Sequence, residues 1–222
     1  MIRNPDAKPA ARRNRQDGTE TRQRLLDVAG QVFAERGYAD ATSKEICERA
    51  GTNSAAVNYH FGSREQLYAE VLVLAHNRLM SPELLQAVAS STAAPPEKLR
   101  LLISRLIGDA MRDDKGNWEL RVIARELLSP SAQMATMLGA VLPKIMVIRA
   151  LIAELLGLPL DHPAVLPSTL SVIAPCLHLL IVSVNNARRI FPQLVADPEV
   201  LVEHLLTFSL AGLQAARERA AA

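Results

Sequence analysis

The sequence predicts an all-α fold, and three observations carry that expectation. Leu, Ala, Glu, Arg and Met, the strong helix formers, dominate its 222 residues, of which 49% are hydrophobic and only 4% aromatic. Apolar residues recur at helical spacing in one segment after another. No period-2 run of Val, Ile and Thr lies between hairpin turns, so strands are not expected. The apolar content is ample for a core, and disorder is not the default state.

The first helix is expected from about Thr19 to Gly37, striped by Leu25, Val28, Ala29, Val32 and Phe33 and stopped by the glycine. A second, short helix follows Thr42, whose Glu45 three residues on completes a capping box, and Gly51 ends it. A third starts after Asn53 and ends near His60. Ser63 and Gln66 form another capping box, opening a fourth helix through Leu67, Tyr68, Val71, Leu72 and Ala75 to Met80. Ser81 to Glu97 reads as a short helix and then a loop. Leu99, Ile103, Leu106 and Ala110 stripe the next helix, and Trp118 to Leu128 make another. The segment from Ser129 to Gly157 is a long helix expected to bend or break at Pro143. A charge-poor helix near 165–188 follows. The last helix opens on Asp197 as cap with Pro198 at its first position. It carries two apolar rows, Leu201/Leu205/Phe208/Gly212/Ala215 and Val202/Leu206/Leu210/Leu213. One row serves the protomer core and the other needs a partner, so the last two long helices predict a homodimer.

Net charge is only +2, but its distribution is uneven. Residues 1–24 hold seven basic side chains (Arg3, Lys8, Arg12, Arg13, Arg15, Arg22, Arg24) against Asp6, Asp17 and Glu20, which reads as a flexible basic arm over 1–18. Cys47 and Cys176 lie far apart without metal-ligand spacing and read as buried thiols of a reducing cytoplasm. The first residues lack the apolar stretch of a signal peptide. Pro163 to Ala187 has no formally charged residue, yet its prolines, His178 and scattered hydroxyls favour burial over a membrane span.

The informative stretch is Ala50 to Leu72. Two short helices joined by a glycine turn match a helix-turn-helix, whose second helix enters a major groove roughly 12 Å wide. Large side chains on that helix would hold its backbone away from the bases. Ala55 and Ala56 therefore read as a low floor able to meet thymine methyls, with Ser54 and Asn58 offering hydrogen bonds to base edges and Asn53, just before the helix, among the DNA-binding residues. Val57 is the inward anchor. Tyr59 and His60 suit phosphates, as do Thr42, Ser43 and Lys44 around the start of the second helix and Arg64 at the start of the fourth. The expected organisation is an arm over 1–18, a helix-turn-helix domain over 19–66 and a helical ligand-binding and dimerisation domain over 67–222.

Residues 19 to about 70 resemble the DNA-binding domain of the TetR family of bacterial transcriptional regulators. The resemblance rests on Phe33, Gly37, Tyr38 and Thr42, on Ile46 to Gly51, and on the run Tyr59-His60-Phe61-Gly62-Ser63-Arg64-Glu65 with Leu67. It departs at Asn58, where the family usually carries an aromatic residue. Ala124 to Ile145, "ARELLSPSAQMATMLGAVLPKI", is similar to the subgroup with a CecR-type C-terminal domain. The resemblance implies a cytoplasmic bacterial homodimer that represses genes, often those of exporters, until a small molecule binds.

Met134, Met137 and Met146 are candidates for an adaptable effector pocket, with Trp118, Arg121, Arg125, Glu126 and His178 as its polar groups. Each also has an ordinary structural reading as core methionine, surface pair or packed histidine. No G-x-S-x-G, glycine-rich phosphate loop or H-E-x-x-H occurs, so no catalytic residue, cofactor or metal is expected. The remaining alternatives are an activator, or a sensor dimer whose helix-turn-helix no longer reads DNA.

Overall fold

The computed structural model describes residues 10–111, 117–181, 189–190 and 192–221. Every element among them is a helix, in agreement with the all-α expectation. The chain divides into two compact units, Met1–Val71 and Leu72–Ala222, and the boundary falls inside one helix rather than in a linker.

In the first unit, helix α1 (Ala10–Arg36) is followed by α2 (Ser43–Arg49), α3 (Ala56–Phe61) and the opening half of α4 (Arg64–Leu79). Helix α1 begins nine residues before Thr19, so residues 10–18 of the expected arm are helical. Alanine and arginine favour helix in that stretch, and Gly18 at its end is tolerated. Arg3 and Lys8 of the arm lie outside the described residues. Leu25, Ala29, Val32 and Phe33 of α1 are buried with Ile46, Val57, Phe61, Leu67 and Tyr68, which makes a small core shared by all four helices. Tyr38 stacks on Tyr68 with ring centroids 4.7 Å apart, and Phe33 meets the Tyr68 ring edge-on at the same distance.

The second unit continues with the end of α4, then α5 (Pro82–Ser90), α6 (Pro95–Ala110), α7 (Trp118–Leu128) and α8 (Met134–Leu156). Helices α9 (Val165–Ile181), α10 (Pro192–Ala196) and α11 (Pro198–Ala221) complete it. Side-chain caps start three of these helices. Ser81 Oγ accepts from Leu84 N at 3.1 Å with Pro82 at the first position, and Asn117 Oδ1 accepts from Leu120 N. Asp197 Oδ1 accepts from Glu199 N at 3.1 Å. Pro143 does not break α8, which runs as one element of 23 residues. Ile148, Leu151, Ile152 and Leu156 beyond the proline are buried, so packing holds the helix across the missing backbone donor.

Helix α6 lies at the centre, with Leu99, Ile103 and Ile107 packed against Ile152, Leu156, Val172 and Val202. Of the two apolar rows on α11, Val202 and Leu213 are buried, while the other row leaves the core at Phe208, which is 69% exposed. Helix α9 buries Val165, Val172 and Cys176 but exposes Leu166, Leu170 and Leu177. Its expected continuation to 188 lies outside the described residues. Both cysteines are free and buried, and burial raises the Cys176 thiol to about 11. Met134–Leu156 is long and apolar enough to cross a membrane by length and composition alone. Against a span stands Lys144 at its middle, which donates to the backbone carbonyls of His76 and Met80 at the end of α4, within the same unit.

Candidate nucleic-acid interface

The helix-turn-helix is built by capping at three points. Thr42 Oγ1 accepts from Glu45 N at 3.1 Å and so starts α2. Gly51, at φ 65°, takes the left-handed turn that ends it, and Thr52 N returns to Cys47 O at 2.9 Å. Asn53 Oδ1 then accepts from Ala55 N at 3.1 Å, which sets the direction of α3. Arg49 ties α2 back to α1 through Glu35 at 2.7 Å, and holds Glu45 at 2.6 Å.

Helix α3 has two faces. Ala56, Val57 and Phe61 are buried, while Ser54, Ala55, Asn58 and Tyr59 are exposed. Ala56 is therefore corrected from groove floor to core: only 7% of its surface is accessible, because α3 begins at this residue and turns it inward with Val57. Ala55 alone remains as the low point between two polar neighbours. Tyr59 is 84% exposed, and its ring meets the half-buried His60 edge-on at 4.8 Å. Thr42 and Lys44 are exposed and Ser43 is half-buried, at the positive end of α2. Lys44 lies 3.9 Å from Glu48, an exposed pair that holds it only weakly.

Two arginines of this unit hold its helices together. Arg64 Nη1 donates to Ala41 O at 2.6 Å and to Tyr38 O at 3.1 Å, and its guanidinium lies 4.4 Å from the Tyr38 ring centroid. It clamps the α1–α2 turn onto the start of α4 rather than extending outward. Arg22, one of the seven basic side chains of residues 1–24, is paired with Glu70 and sits over the Phe61 ring at 4.7 Å, so it staples α1 to α3 and α4. Charge alone does not reveal either arrangement.

The residues singled out as effector contacts are dispersed through the second unit. Trp118 and Met137 are buried, Met134 and Arg121 half-buried, and Arg125 and His178 exposed. Glu126 is buried and accepts from Ser131 N at 2.9 Å and Ser131 Oγ at 3.0 Å, which fixes the α7–α8 turn. Met146 does line a cleft of about 320 Å³ between α5, α6 and α8. A second cleft of about 330 Å³ runs between α9 and α11, floored by Ser168, Ser171, Ser209 and Gly212. Trp118, Arg121, Arg125, Met134, Met137 and His178 line neither.

Comparison with known proteins agrees with this geometry. Residues 25–71 match the model of the bacterial regulatory proteins of the tetR family. Residues 95–213 match that of the C-terminal domain of the HTH-type transcriptional dual regulator CecR. The chain is 32% identical to CecR of Shigella flexneri over 124 residues, covering 52% of this chain and 55% of that protein. It is 26% identical to the transcriptional regulator AcrR of the same organism over 113 residues, 51% of this chain and 52% of AcrR. The chain thus spans about half the length of these curated relatives. Among solved structures, the fatty acid degradation regulator FadR of Bacillus halodurans superposes with a TM-score of 0.68 at 16% identity, over 87% of this chain and 96% of that one. FadR of Bacillus subtilis in complex with stearoyl-CoA gives 0.67 at 18% identity, over 86% and 98%. At such identities these two likenesses show the fold alone. The two family models together cover both units, the second of them more than half of the chain, and the protein belongs to the TetR family of bacterial regulatory proteins, in the branch with a CecR-type C-terminal domain.

Proposed function

We propose that the protein is a sequence-specific DNA-binding transcriptional regulator of the bacterial cytoplasm, a repressor that leaves a near-palindromic operator when a small molecule binds its C-terminal unit. The observation that carries the reading is the outer face of α3. The six-residue helix and the two residues that lead into it expose Ser54, Ala55, Asn58 and Tyr59, with no large aliphatic side chain to hold them off the bases. Ser54 and Asn58 read base edges there, and Ala55 meets a methyl. Asn53, Tyr59, His60, Thr42, Ser43 and Lys44 hold phosphates on either side. Arg64 acts on the same surface indirectly, by fixing α4 against the turn.

The exposed apolar row on α9 and α11 supports a homodimer. Leu166, Leu170, Leu177 and Phe208 are open to solvent beside a cleft lined by small residues, so a second copy can seat a Phe208 in it. Two reader helices then stand about one DNA turn apart, roughly 34–36 Å. An effector shifts operator affinity only by preferring one of two dimer arrangements. The relatives' names include both a repressor and an activator, and the sign of regulation depends on where the operator lies relative to the promoter.

The test is fluorescence anisotropy of the full chain on duplex DNA from upstream of its own gene, and on duplexes enriched from a random pool, against a scrambled control at about 0.15 M salt. A preference of about a thousandfold supports sequence reading. Equal binding to all selected and scrambled duplexes rejects it.

A further inference from the structure

The cleft between α5, α6 and α8 is apolar except at one place. Val88 and Ala89 form one wall and Met146, Val147 and Ala150 the other, with no aromatic side chain among its lining residues. Into it come Lys98, from the first turn of α6, and Glu154, from the last turns of α8, paired at 3.4 Å. The pair is unequal. The Lys98 side chain is 11% exposed and that of Glu154 is 49% exposed. At its other end the cleft opens at Met146 onto a stripe of α8 in which Leu142 and Leu138 are also exposed, at 57% and 43%. Eight residues of helix separate Leu138 from Met146, which is a track of about 12 Å.

We propose that this cleft is a binding site for an amphipathic carboxylate with an unbranched aliphatic body, whose carboxylate takes the place of Glu154 on Lys98. The inequality of the pair decides the sign of the ligand's charge. Glu154 stands at the rim and turns into water at little cost, because a half-exposed ion pair contributes little. Lys98 is enclosed by the wall and its stem is packed there, so its ammonium must keep an anionic partner. An incoming carboxylate supplies that partner and brings apolar surface to cover Met146, Val147 and Ala150. An incoming amine would need Lys98 itself to leave. The absence of aromatic lining and the continuous stripe from Met146 to Leu138 fit a flexible chain better than a flat ring. The inference deepens the effector reading and rests on it in one respect, that the C-terminal unit is a receptor.

Isothermal titration calorimetry of the full chain tests the site without reference to DNA, so a failure of operator recognition leaves its result intact. The probes are octanoate, octanol and octylamine. Octanoate is expected to bind one equivalent per chain more tightly than either of the others. Lys98→Met, which keeps the stem, is expected to weaken octanoate about tenfold and leave octanol unchanged. Glu154→Gln removes the internal competitor and is expected to tighten octanoate. Ala150→Leu, at an exposed helix position that tolerates it, fills the cleft and is expected to weaken both octanoate and octanol. Circular dichroism confirms that each variant is folded. The proposal is overturned by absence of saturable octanoate binding, by preference for octylamine, or by octanoate affinity that neither Lys98→Met nor Ala150→Leu changes.

Discussion

The Nζ of Lys144 lies 3.0 Å from Nδ1 of His76, on the opposite side of a helix pair that the sequence separates by 68 residues. The same ammonium donates to Met80 O at 2.8 Å, Asn77 Oδ1 at 2.7 Å and His76 O at 3.2 Å. Four acceptors surround three N–H groups, so one hydrogen is shared. The arrangement closes the C-terminal end of α4, where carbonyls without helical partners and the negative end of the helix dipole both favour a cation. Lys144 is 6% exposed, and its burial lowers its own pKa.

Removing that ammonium leaves the end of α4 without its donor. Lys144→Met is expected to destabilise the chain by roughly 1–3 kcal/mol, since the carbonyls lose their partner while the packing is kept. Urea denaturation followed by far-ultraviolet circular dichroism measures it, and an unchanged midpoint would show that water replaces the lysine at no cost.

His76 gives stability a dependence on pH. Burial, and secondarily the charge of Lys144, lower its pKa from 6.5 to about 4 in the folded protein. The neutral ring is the form that accepts from Lys144, so the folded state resists a proton that the unfolded chain takes up. The contribution is complete above pH 6.5 and is lost as pH falls from there towards about 4. Between pH 7 and pH 5 the loss is expected to be about 1–2 kcal/mol, allowing for the ring's partial exposure. His76→Gln should remove that component, which the difference between the two proteins' denaturation free energies at each pH reports.

Arg64→Lys and Arg64→Ala together separate a positioning role from a phosphate contact. Lysine keeps the charge but not the planar guanidinium that lies over the Tyr38 ring while its Nη1 donates to Tyr38 O and Ala41 O. Stability should fall by about 1–2 kcal/mol and operator affinity with it, while the slope of log affinity against log salt stays as it was. Arg64→Ala decides the matter: loss of a phosphate contact would lower that slope by about one unit, and loss of a clamp would not.

The two adjacent alanines of the reader helix should respond in opposite ways. Ala55→Leu is exposed and is expected to leave the thermal midpoint within a few degrees of wild type while weakening operator binding about tenfold or more. Ala56→Leu overpacks the core and is expected to destabilise by about 1–3 kcal/mol. A reversed pattern would place the groove-facing side of α3 one residue further on.

Local signals in the sequence located the elements well, and long-range ones were the harder part. Thr42, Ser63 and Ser81 act on their own neighbours, and the first two were readable as caps because a cap needs only three residues. Helix α7 spans Trp118–Leu128, the bounds expected from the sequence. Ala56 was misplaced because a helix of six residues has too little period to fix its phase by inspection. Arg64 read as a phosphate ligand because a sequence shows its charge but not the carbonyls of Tyr38 and Ala41 that converge on it. Pro143 suggested a break because the covalent rule is local, whereas the packing that overrides it comes from other helices. The Lys98–Glu154 pair and the Lys144 cap are contacts across 56 and 68 residues, and no spacing rule announces either.

Trp118 is the chain's one tryptophan, and it sits in the second compact unit, 7% exposed, with the Arg78 guanidinium 5.4 Å from its ring centroid and Arg78 in turn 3.1 Å from Glu119. Intrinsic emission excited at the red edge therefore originates wholly outside the helix-turn-helix. Its intensity and wavelength follow the charge beside the indole at the start of α7. An optical titration with any candidate effector thus needs no dye. A signal that moves when DNA alone is added would register communication from the reader to the receptor, the converse direction that linkage requires.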